Sequence, residues 1–420
     1  IDDIATVTAP PYDVITGPGK DDLLARSPYN VIRLILGKAA QEAGTARPQK
    51  EFAEAASTFS KWTAENILID DSEPALYDLE EEFEAVGKRY CRRGFIGLLK
   101  LEGKKSAVRP HEQTLKAPKE DRLELTRHCR ANFSQIFTLY KDQKNVVEKA
   151  LKQARKTETM LTFTEAGITR RLWRITDPEA INAARVHLQN REIFIADGHH
   201  RYETALLYQQ ERNAAATKLH DNQPWNYVMS YFSSMSSPGL AILPTHRMLA
   251  NFPTPDADEL RKHLAEFFTL EECPANSYDT PNLLAKLEDN KNIPSFIFLA
   301  ENFNSPLLLT LKKDAAARVL NKLPEALAAL DVSVLQQLVF NHILKISIAD
   351  MEQQRYTRYT QDAAIAIDAV NNGTAQIAVL LRSTRIEQVS EVASNGEKMP
   401  QKSTFFFPKL ATGLLINRLN

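Results

Sequence analysis

The sequence predicts a mixed α/β protein that is divided into two domains. The chain has 420 residues, whereas a single domain usually holds about 100–200. Its 43% hydrophobic and 25% charged residues are typical of folded globular proteins. Short apolar runs that favour strands alternate with segments of helical spacing. We therefore expect a first domain over residues 1–240 and a second, α+β domain over residues 241–420.

Periodicity and turn residues place the elements of the first domain. Pro10 and Pro11 disfavour a helix and predict an extended segment after them. Apolar runs bounded by Gly or Pro predict strands, and apolar residues three or four positions apart predict helices. The predicted elements are an extended segment at 12–15, a buried strand at 31–36, a helix at 49–66, strands at 75–86 and 88–101, helices at 122–130 and 141–156, and strands within 162–175.

The most informative junction joins residues 192–196 to residues 197–209. The first segment is a short apolar run that predicts a buried strand, and the second has helical spacing. Gly198 lies between them. The first amides of a helix lack intrahelical partners and lie at the positive end of the helix dipole. A strand that enters a helix through glycine therefore favours an anion such as phosphate.

The side chains of this turn suit the same ligand. Arg201 carries a planar guanidinium that matches a pair of phosphate oxygens, and His199 and His200 add hydrogen-bond donors. Asp197 has three candidate roles, which are to cap the helix, to hold a histidine, or to help position a metal ion. The structural alternative is that Asp197 only caps the helix and the histidines fill a polar turn.

A second group of polar residues begins at His111 and Glu112. It is not a zinc-protease motif, because Leu115 stands where the second histidine of H-E-x-x-H is required. Glu112 is a candidate general base for a hydroxyl group. Arg122 and the lysines near it could neutralise phosphate. The structural alternative is a solvated, charged loop at the start of a helix.

The second domain is predicted to contain further helices and strands and a basic C-terminal segment. The predicted helices lie at 257–268, 282–288 and 331–344, and the predicted strands at 295–300, 306–311 and 377–381. The apolar run 405–407 predicts a buried strand that anchors the polar residues around it. The candidate phosphate or carboxylate ligands of this segment are Lys398, Lys402, Ser403, Thr404 and Lys409. Solvated lysines on a strand are the structural alternative.

Charge and cysteine usage argue against several classes of protein. The 52 Lys and Arg residues nearly cancel the 53 Asp and Glu residues, so nucleic-acid binding, which needs a basic domain or stripe, is not expected. Cys91, Cys129 and Cys273 are too widely spaced for a disulfide framework or a structural zinc site, and we expect reduced thiols in a cytoplasmic protein. No run approaches the about 20 apolar residues of a membrane span.

Six motifs in order give the chain a resemblance to the bacterial and archaeal DUF1015 family over essentially its whole length. The motifs are PPYDVI at 10–15, HEQT at 111–114, DR at 121–122, DGHHRY at 197–202, PTHR at 244–247 and MPQKST at 399–404. The family name carries no function. The resemblance favours functional roles for Glu112, His246 and Arg247, and Tyr12 and Asp13 are expected to form a wall of a cleft.

More remotely, the turn resembles that of the ParB/sulfiredoxin superfamily, which includes nucleotide-binding partition proteins, sulfiredoxin and free-serine kinases. The kinase turn Asp-Gly-His-Thr-Arg matches residues 197–201 except that His200 replaces threonine. Sulfiredoxin has a reactive cysteine at the position of His199, so its chemistry is not implied. The resemblance implies a ParB/sulfiredoxin-like core with an insertion at about 40–190 and a phosphate site in a cleft that the second domain closes.

The resulting hypothesis is nucleotide-dependent phosphoryl transfer to a small hydroxyl metabolite, with free serine as the first candidate and ATP or ADP with Mg²⁺ as cofactors. A phosphatase of phosphoserine-like monoesters and a non-catalytic, nucleotide-binding regulatory protein are the alternatives. A small-molecule substrate, a nucleotide and a homodimeric partner are expected. The residues expected to act are Glu112, His111, His199 and Asp197 in catalysis, Gly198, His199, His200, Arg201, Arg122, Lys402, Ser403 and Thr404 in phosphate or nucleotide binding, Tyr12, Asp13, Thr114, His246 and Arg247 in substrate binding, and Asp197 as a metal ligand.

Overall fold

The computed structural model describes residues 3–37, 47–103, 106–114, 116–218, 220–273, 280–289 and 293–420. The chain forms two compact units. Unit 1 comprises Ile1–Arg109, Thr114–Ala241 and Phe406–Asn420, and unit 2 comprises Pro110–Gln113 and Ile242–Phe405. Both units combine helices with a sheet, so the predicted mixed α/β class is confirmed. The last residues of the chain belong to unit 1.

Unit 1 is built on a mixed sheet of eight strands in the order β3-β8-β5-β9-β2-β1-β7-β6. Neighbouring strands are antiparallel except in the pairs β3/β8 and β5/β9, which are parallel. The eight strands are β1 (Leu76–Ala85), β2 (Lys88–Lys100), β3 (Val108–Arg109), β5 (Ile136–Tyr140), β6 (Leu161–Glu165), β7 (Ile168–Ile175), β8 (Ile193–Asp197) and β9 (Tyr227–Ser234). A separate two-stranded sheet pairs β4 (Ala131–Asn132) with β18 (Asn417–Arg418). The helices are α1 (Gly17–Arg26), α2 (Ile32–Ile35), α3 (Gln49–Ala64), α4 (Lys116–Cys129), α5 (Val146–Ala154), α6 (Pro178–Leu188) and α7 (His199–Ala215).

Unit 2 is built on an antiparallel sheet of six strands in the order β12-β14-β13-β16-β11-β15. Its strands are β11 (His246–Leu249), β12 (Phe268–Glu272), β13 (Ser295–Ala300), β14 (Leu307–Leu311), β15 (Thr357–Thr360) and β16 (Ile377–Leu380), and the strands β10 (Ala241–Leu243) and β17 (Phe405–Phe407) span the unit boundaries. Its helices are α8 (Ala257–Phe267), α9 (Thr280–Asp289), α10 (Lys313–Leu320), α11 (Glu325–Ala328), α12 (Asp331–Val334), a π-helix (Leu335–Ile343), α13 (Ile348–Glu352), α14 (Ala363–Asn371) and α15 (Ile386–Ser394).

Alternation along β13 shows how the core of unit 2 is arranged. Successive side chains of a strand point to opposite faces of the sheet. Phe296 and Phe298 pack in one apolar cluster with the π-helix, whereas Ile297 and Leu299 pack in a second cluster with α9 and α14. Both faces of the sheet are therefore covered by helices, which explains why β13 is apolar at almost every position.

Two predicted elements of the N-terminal region are wrong. Residues 31–36 were predicted to form a strand, but Ile32–Ile35 form the single helical turn α2. A short run that is buried all round has no period by which strand and helix can be told apart. Residues 12–15 were predicted to be extended, but Tyr12–Val14 form a 3₁₀ turn after the two prolines.

The remaining predicted elements are found close to their predicted positions. Among the described residues, none of the helices combines the length and the apolar composition that a membrane crossing requires. Cys91, Cys129 and Cys273 are free thiols. Cys129 and Cys273 are buried, and burial raises the pKa of both thiols. These two cysteines therefore behave as apolar packing residues.

Candidate functional site

The turn between β8 and α7 has the predicted strand–glycine–helix geometry. β8 ends at Asp197, Gly198 has a φ of +95°, and α7 begins at His199. A φ in this region favours glycine. A Cβ at Gly198 would also lie 2.9 Å from Nη2 of Arg201. The position therefore requires glycine both for its backbone conformation and for the approach of the guanidinium.

The guanidinium of Arg201 is held by three acceptors of unit 1. Its Nη1 donates to the carbonyl oxygen of Gln135 at 2.5 Å and to Oγ of Ser134 at 3.1 Å. Its Nη2 donates to Oδ2 of Asp197 at 2.7 Å. Arg201 also lines a cavity of unit 1. A phosphate could therefore bind the N–H groups of Arg201 that are not used by these bonds, or it could replace one of the three acceptors.

Asp197 lies between two cations. Arg201 binds one carboxylate oxygen, and the ammonium of Lys409 binds the other. Burial by itself would raise the pKa of Asp197, but the charges of Lys409 and Arg201 outweigh it and hold this pKa well below its usual range. His199 acts in the same direction. Asp197 is therefore ionised at neutral pH, and the three charged groups carry two positive charges and one negative charge.

The cavity next to this triad contains several of the predicted residues. It is lined by Tyr12, Arg122, Ser134, Arg201 and Thr204, among others. The guanidinium of Arg122 lies 4.3 Å from the centre of the Tyr12 ring, a distance typical of a cation–π contact. Burial first, and then the charge of Asp13, raises the pKa of Tyr12 to about 12. Tyr12 is therefore a neutral hydrogen-bond donor at physiological pH.

The other predicted residues of unit 1 lie around the turn. His199 is buried and His200 is half-buried on the first turn of α7. Thr114 donates to Oε2 of Glu203, one turn further along α7, at 2.6 Å. Asp13 is exposed. Thr114 therefore helps to hold α7 in place through Glu203.

Three predicted motifs come together in unit 2. The carbonyl oxygen of His111 accepts the N–H of Met399 at 2.7 Å, and Oε1 of Glu112 accepts the N–H of Lys402 at 3.0 Å. Nε2 of His111 lies 3.2 Å from Oγ1 of Thr404. The HEQT segment is therefore joined to the segment 399–404 by backbone and side-chain hydrogen bonds.

The third of these motifs, residues 245–247, supplies a buried cation. Nη1 of Arg247 donates to the carbonyl oxygen of Thr245, and Nη2 donates to that of Lys402 at 3.0 Å. Burial lowers the pKa of Arg247 to about 10. The guanidinium carbon lies 5.5 Å from the centre of the Tyr359 ring. Arg247 therefore remains charged at neutral pH inside the unit.

His246, Ser403 and Thr404 are buried in unit 2. Nδ1 of His246 accepts the N–H of Leu381 at 3.1 Å, and burial lowers the pKa of this imidazole to about 4. Oγ of Ser403 donates to the carbonyl oxygen of Pro400 at 2.6 Å. These hydrogen bonds connect His246 to the residue after β16 and Ser403 to Pro400, so both side chains have a structural role here.

Whether Mg²⁺ could bind at Asp197 depends on the groups that already bind the two oxygens of this carboxylate. Both carboxylate oxygens already accept hydrogen bonds from cationic side chains. A magnesium ion needs oxygen ligands in near-octahedral geometry, and it would have to displace Lys409 or Arg201. The residues present therefore do not fit a metal ion at Asp197. Elsewhere in the described ranges, potential ligand atoms converge at Glu80, Glu82 and Cys91, but arginines bind both of these carboxylates.

Several residues of the two sites had no usable signal in the sequence. Ser134 and Gln135 directly precede β5 and bind Arg201, although they lie more than sixty residues before it in the chain. Tyr359 lines the same cavity of unit 2 as Arg247, as does Gln401 of the MPQKST motif. Lys409 was among the phosphate or carboxylate ligands predicted in the basic C-terminal segment, and its partner in the structure is the carboxylate of Asp197.

Comparison with known proteins gives weak structural likenesses. The chain resembles a conserved hypothetical protein from Pyrococcus furiosus at 13% identity and a TM-score of 0.36, covering 74% of this chain and 90% of that one. It resembles a free serine kinase in complex with AMP at 12% identity and a TM-score of 0.38, covering 74% and 86%. It resembles C-terminally truncated SbnI from Staphylococcus aureus at 9% identity and a TM-score of 0.35, covering 76% of this chain and 85% of that one. Likenesses of this size do not establish a shared activity.

Sequence comparison identifies the family. No curated protein matches the chain. Residues 2–333 match the profile of a family described as a protein of unknown function, DUF1015. The matched range includes the strand–glycine–helix turn, the HEQT motif and residues 245–247, whose geometry is given above. The chain is a member of the DUF1015 family.

Proposed function

We propose that unit 1 binds the phosphates of a nucleotide, ATP or ADP, at the turn between β8 and α7, and that the protein transfers a phosphoryl group to a small hydroxyl compound. Free serine is the first acceptor to test. The observation that carries the proposal is the triad of Arg201, Asp197 and Lys409 at the N-terminus of α7.

The charges of the triad support an anionic ligand. Two cations, Arg201 and Lys409, converge on one carboxylate, so positively charged groups are concentrated at this place. A largely buried positive charge is stabilised by an anion that takes hydrogen bonds from it. The N-terminus of α7 adds the positive end of a helix dipole at the same place.

Glycine at position 198 supports close approach of the ligand to the backbone. Glycine leaves no Cβ beside the peptide nitrogens at the start of α7. Arg201 lies against this glycine and lines the cavity. A phosphate seated here would be bound by guanidinium and ammonium groups, which stabilise the charge of a transferring phosphoryl group.

Glu112 is proposed to orient or deprotonate the acceptor hydroxyl. One oxygen of its carboxylate accepts the N–H of Lys402 at 3.0 Å, which restrains the side chain. A positioned carboxylate is suited to this role in phosphoryl transfer. The variant Glu112→Gln keeps the shape and removes the charge. It should lower kcat strongly while leaving nucleotide affinity close to that of the wild type.

Isothermal titration with ATP, ADP and CTP tests the binding step. Arg201→Ala and Lys409→Met should each weaken nucleotide binding at least about tenfold, the scale of one charge-assisted hydrogen bond. Arg212→Ala is the matched control, because it removes the same charge from the same helix eleven residues from Arg201. Absence of nucleotide binding by the wild-type protein would refute the proposal.

Product analysis by ³¹P NMR tests the transfer step and separates the alternatives. Phosphoserine formed from serine and ATP or ADP supports a kinase. Inorganic phosphate released from phosphoserine without nucleotide indicates a phosphatase, for which His199 is the candidate nucleophile or acid. Nucleotide binding without any product, over a panel of hydroxyl compounds, indicates a regulatory binding protein.

A further inference from the structure

Unit 2 contains a cavity with one polar wall and one apolar wall. All of its lining residues belong to unit 2. The polar wall includes Arg247, Tyr359, Gln113 and Gln401, which come from β11, β15 and the two loop segments that meet at Met399. The rest of the lining comes mainly from the π-helix and α13. A cavity divided in this way suits a ligand with one polar end and one apolar end.

Arg247 makes the polar wall cationic. The residue is 5% exposed. Two of its donor groups bind main-chain carbonyl oxygens, and the negative charge of Glu112 also acts on it. Arginine has five N–H donors, so further donors remain for a ligand. Burial of a cation is costly, and an anion that accepted hydrogen bonds from Arg247 would relieve part of that cost.

The apolar wall is formed by Leu335 and Phe340 of the π-helix and by Met351 of α13. These side chains are at most 9% exposed, yet they line the cavity. A π-helix is rare and is found frequently at functional sites. Its wider turn brings Leu335, Gln336 and Phe340 to the same cavity. Inorganic anions would leave this wall uncovered.

The charges on the lining favour a single negative charge. Arg247 is the cation of the lining, and the acid Glu352 stands exposed at its edge. A dianion would place a second negative charge near Glu352 with no second cation to balance it. One carboxylate matches the planar fork of one guanidinium. Nε2 of Gln401 is buried without a partner among the described residues and offers an additional donor to a carboxylate oxygen.

From these observations we infer that unit 2 binds a small organic monocarboxylate at this cavity, with the carboxylate on Arg247 and the aliphatic or aromatic part of the molecule against Leu335, Phe340 and Met351. This site involves neither Arg201 nor Lys409. Failure of nucleotide binding at the turn in unit 1 would therefore leave it untouched, and the reverse also holds.

The test is titration of the intact chain with acetate, butanoate and hexanoate, followed by isothermal calorimetry and ligand-observed NMR. Affinity should rise from acetate to hexanoate, because each added methylene covers more of the apolar wall. Hexanamide, which has the same shape without the charge, should bind at least about tenfold more weakly. Inorganic phosphate and succinate should also bind more weakly than hexanoate.

Two variants assign the binding to this cavity. Arg247→Gln should weaken hexanoate binding at least about tenfold, whereas Arg358→Gln, on the paired strand and exposed, should bind like the wild type. Gln336→Trp should fill the cavity and abolish binding while Arg247 stays in place. Gln337→Trp is its control on the neighbouring position, which does not line the cavity.

Three results would overturn the inference. The first is that none of the three carboxylates binds the wild-type protein. The second is that hexanamide binds as tightly as hexanoate. The third is that Gln336→Trp binds hexanoate like the wild type. The third result decides the matter even where Arg247→Gln fails to fold, because Gln336 is only half-buried.

Discussion

Lys409 donates to Oδ1 of Asp197, a residue that precedes it by 212 positions in the chain. The contact joins the last segment of unit 1 to the end of β8. The side chains are 14% and 15% exposed, so water screens the pair only weakly. Phe406, which is fully buried and lies 5.5 Å from the Phe137 ring centre, anchors the segment that carries Lys409.

Replacing Lys409 tests this contact. Lys409→Met leaves Asp197 with Arg201 alone and should lower the free energy of unfolding at pH 7 by about 2–4 kcal/mol. Urea unfolding measures the change. Lys61→Met, which removes an exposed lysine 3.8 Å from Glu65, is the control and should cost less than about 0.5 kcal/mol. Equal effects of the two substitutions would show that the buried contact contributes nothing.

The same contact predicts a dependence on pH. The pKa of Asp197 is lower in the folded protein than in the unfolded chain. Its contribution to stability is therefore fully present above the unfolded value of about 4 and is lost as the pH falls through the folded pKa. Below about pH 4 the difference between wild type and Asp197→Asn should become smaller with each step. A constant difference down to pH 2 would contradict the assignment.

Gly198 provides a third prediction. Gly198→Ala combines a positive φ with a Cβ 2.9 Å from the guanidinium of Arg201 and should cost about 2 kcal/mol or more in the free energy of unfolding. Gly87→Ala is the matched control, since Gly87 has a φ of +66° but no atom within 4 Å of its added Cβ. It should cost only about 1 kcal/mol. Equal costs would mean that Arg201 moves aside freely.

The sequence predicted the β8–α7 turn well because the signal there is local. An apolar run, a glycine and helical spacing lie within twenty residues, and Gly198 and His199 occupy the expected places. The partners of Arg201 could not be predicted in this way. Ser134 and Gln135 reach it through the pairing of β5 with β8, and strand pairing depends on packing that single-sequence periodicity does not contain.

The α2 segment could not be predicted even from its local sequence. Ile32, Leu34 and Ile35 are all buried, so neither a period of two nor a period of 3.6 can be seen in four residues. His111, Glu112 and the segment 399–404 were singled out by a different signal, because they belong to family motifs that follow one another in order along the chain. Motif order indicated that these residues matter, and only the structure shows the hydrogen bonds between them.

His246 provides a fourth prediction, in which stability falls as the pH is lowered, as expected for a buried neutral imidazole. Its pKa is lowered to about 4 by burial and then by the charge of Arg247, whereas in the unfolded chain it is about 6.5. The unfolded state therefore binds a proton first as the pH falls. Stability is unaffected above about pH 6.5 and decreases between 6.5 and 4, by about 3 kcal/mol in total.

His246→Asn tests this titration, because its Oδ1 can accept the N–H of Leu381 without binding a proton. The variant should show a flatter fall of the unfolding free energy between pH 6.5 and 4 than the wild type. Urea unfolding at half-unit steps measures both slopes. His220→Asn, at an exposed position, reports the effect of losing any histidine. Parallel slopes for wild type and His246→Asn would exclude His246 as the source.

The last prediction concerns a buried charge network in the sheet of unit 1. Glu81 of β1 lies directly opposite Arg92 of β2 and Arg170 of β7 in the strand register. One oxygen of Glu81 accepts two N–H groups of Arg92, and the other accepts Nε of Arg170 at 3.1 Å. None of the three side chains is more than 4% exposed. One carboxylate therefore balances two buried guanidinium groups.

Removing that carboxylate should be far more damaging than removing its neighbour. Glu81→Gln leaves both guanidinium groups buried without a counter-charge, and we expect a loss of about 3–5 kcal/mol in the free energy of unfolding. Glu82→Gln is the matched control on the next residue of the same strand. Glu82 points to the other face, is 49% exposed and pairs with Arg171, so its loss should cost less than about 1 kcal/mol. Urea unfolding of both variants at pH 7 measures the contrast. Similar losses would mean that Arg92 and Arg170 are hydrated or paired with another group in the variant. The expected difference between the two variants depends on both guanidinium groups staying buried without a counter-charge.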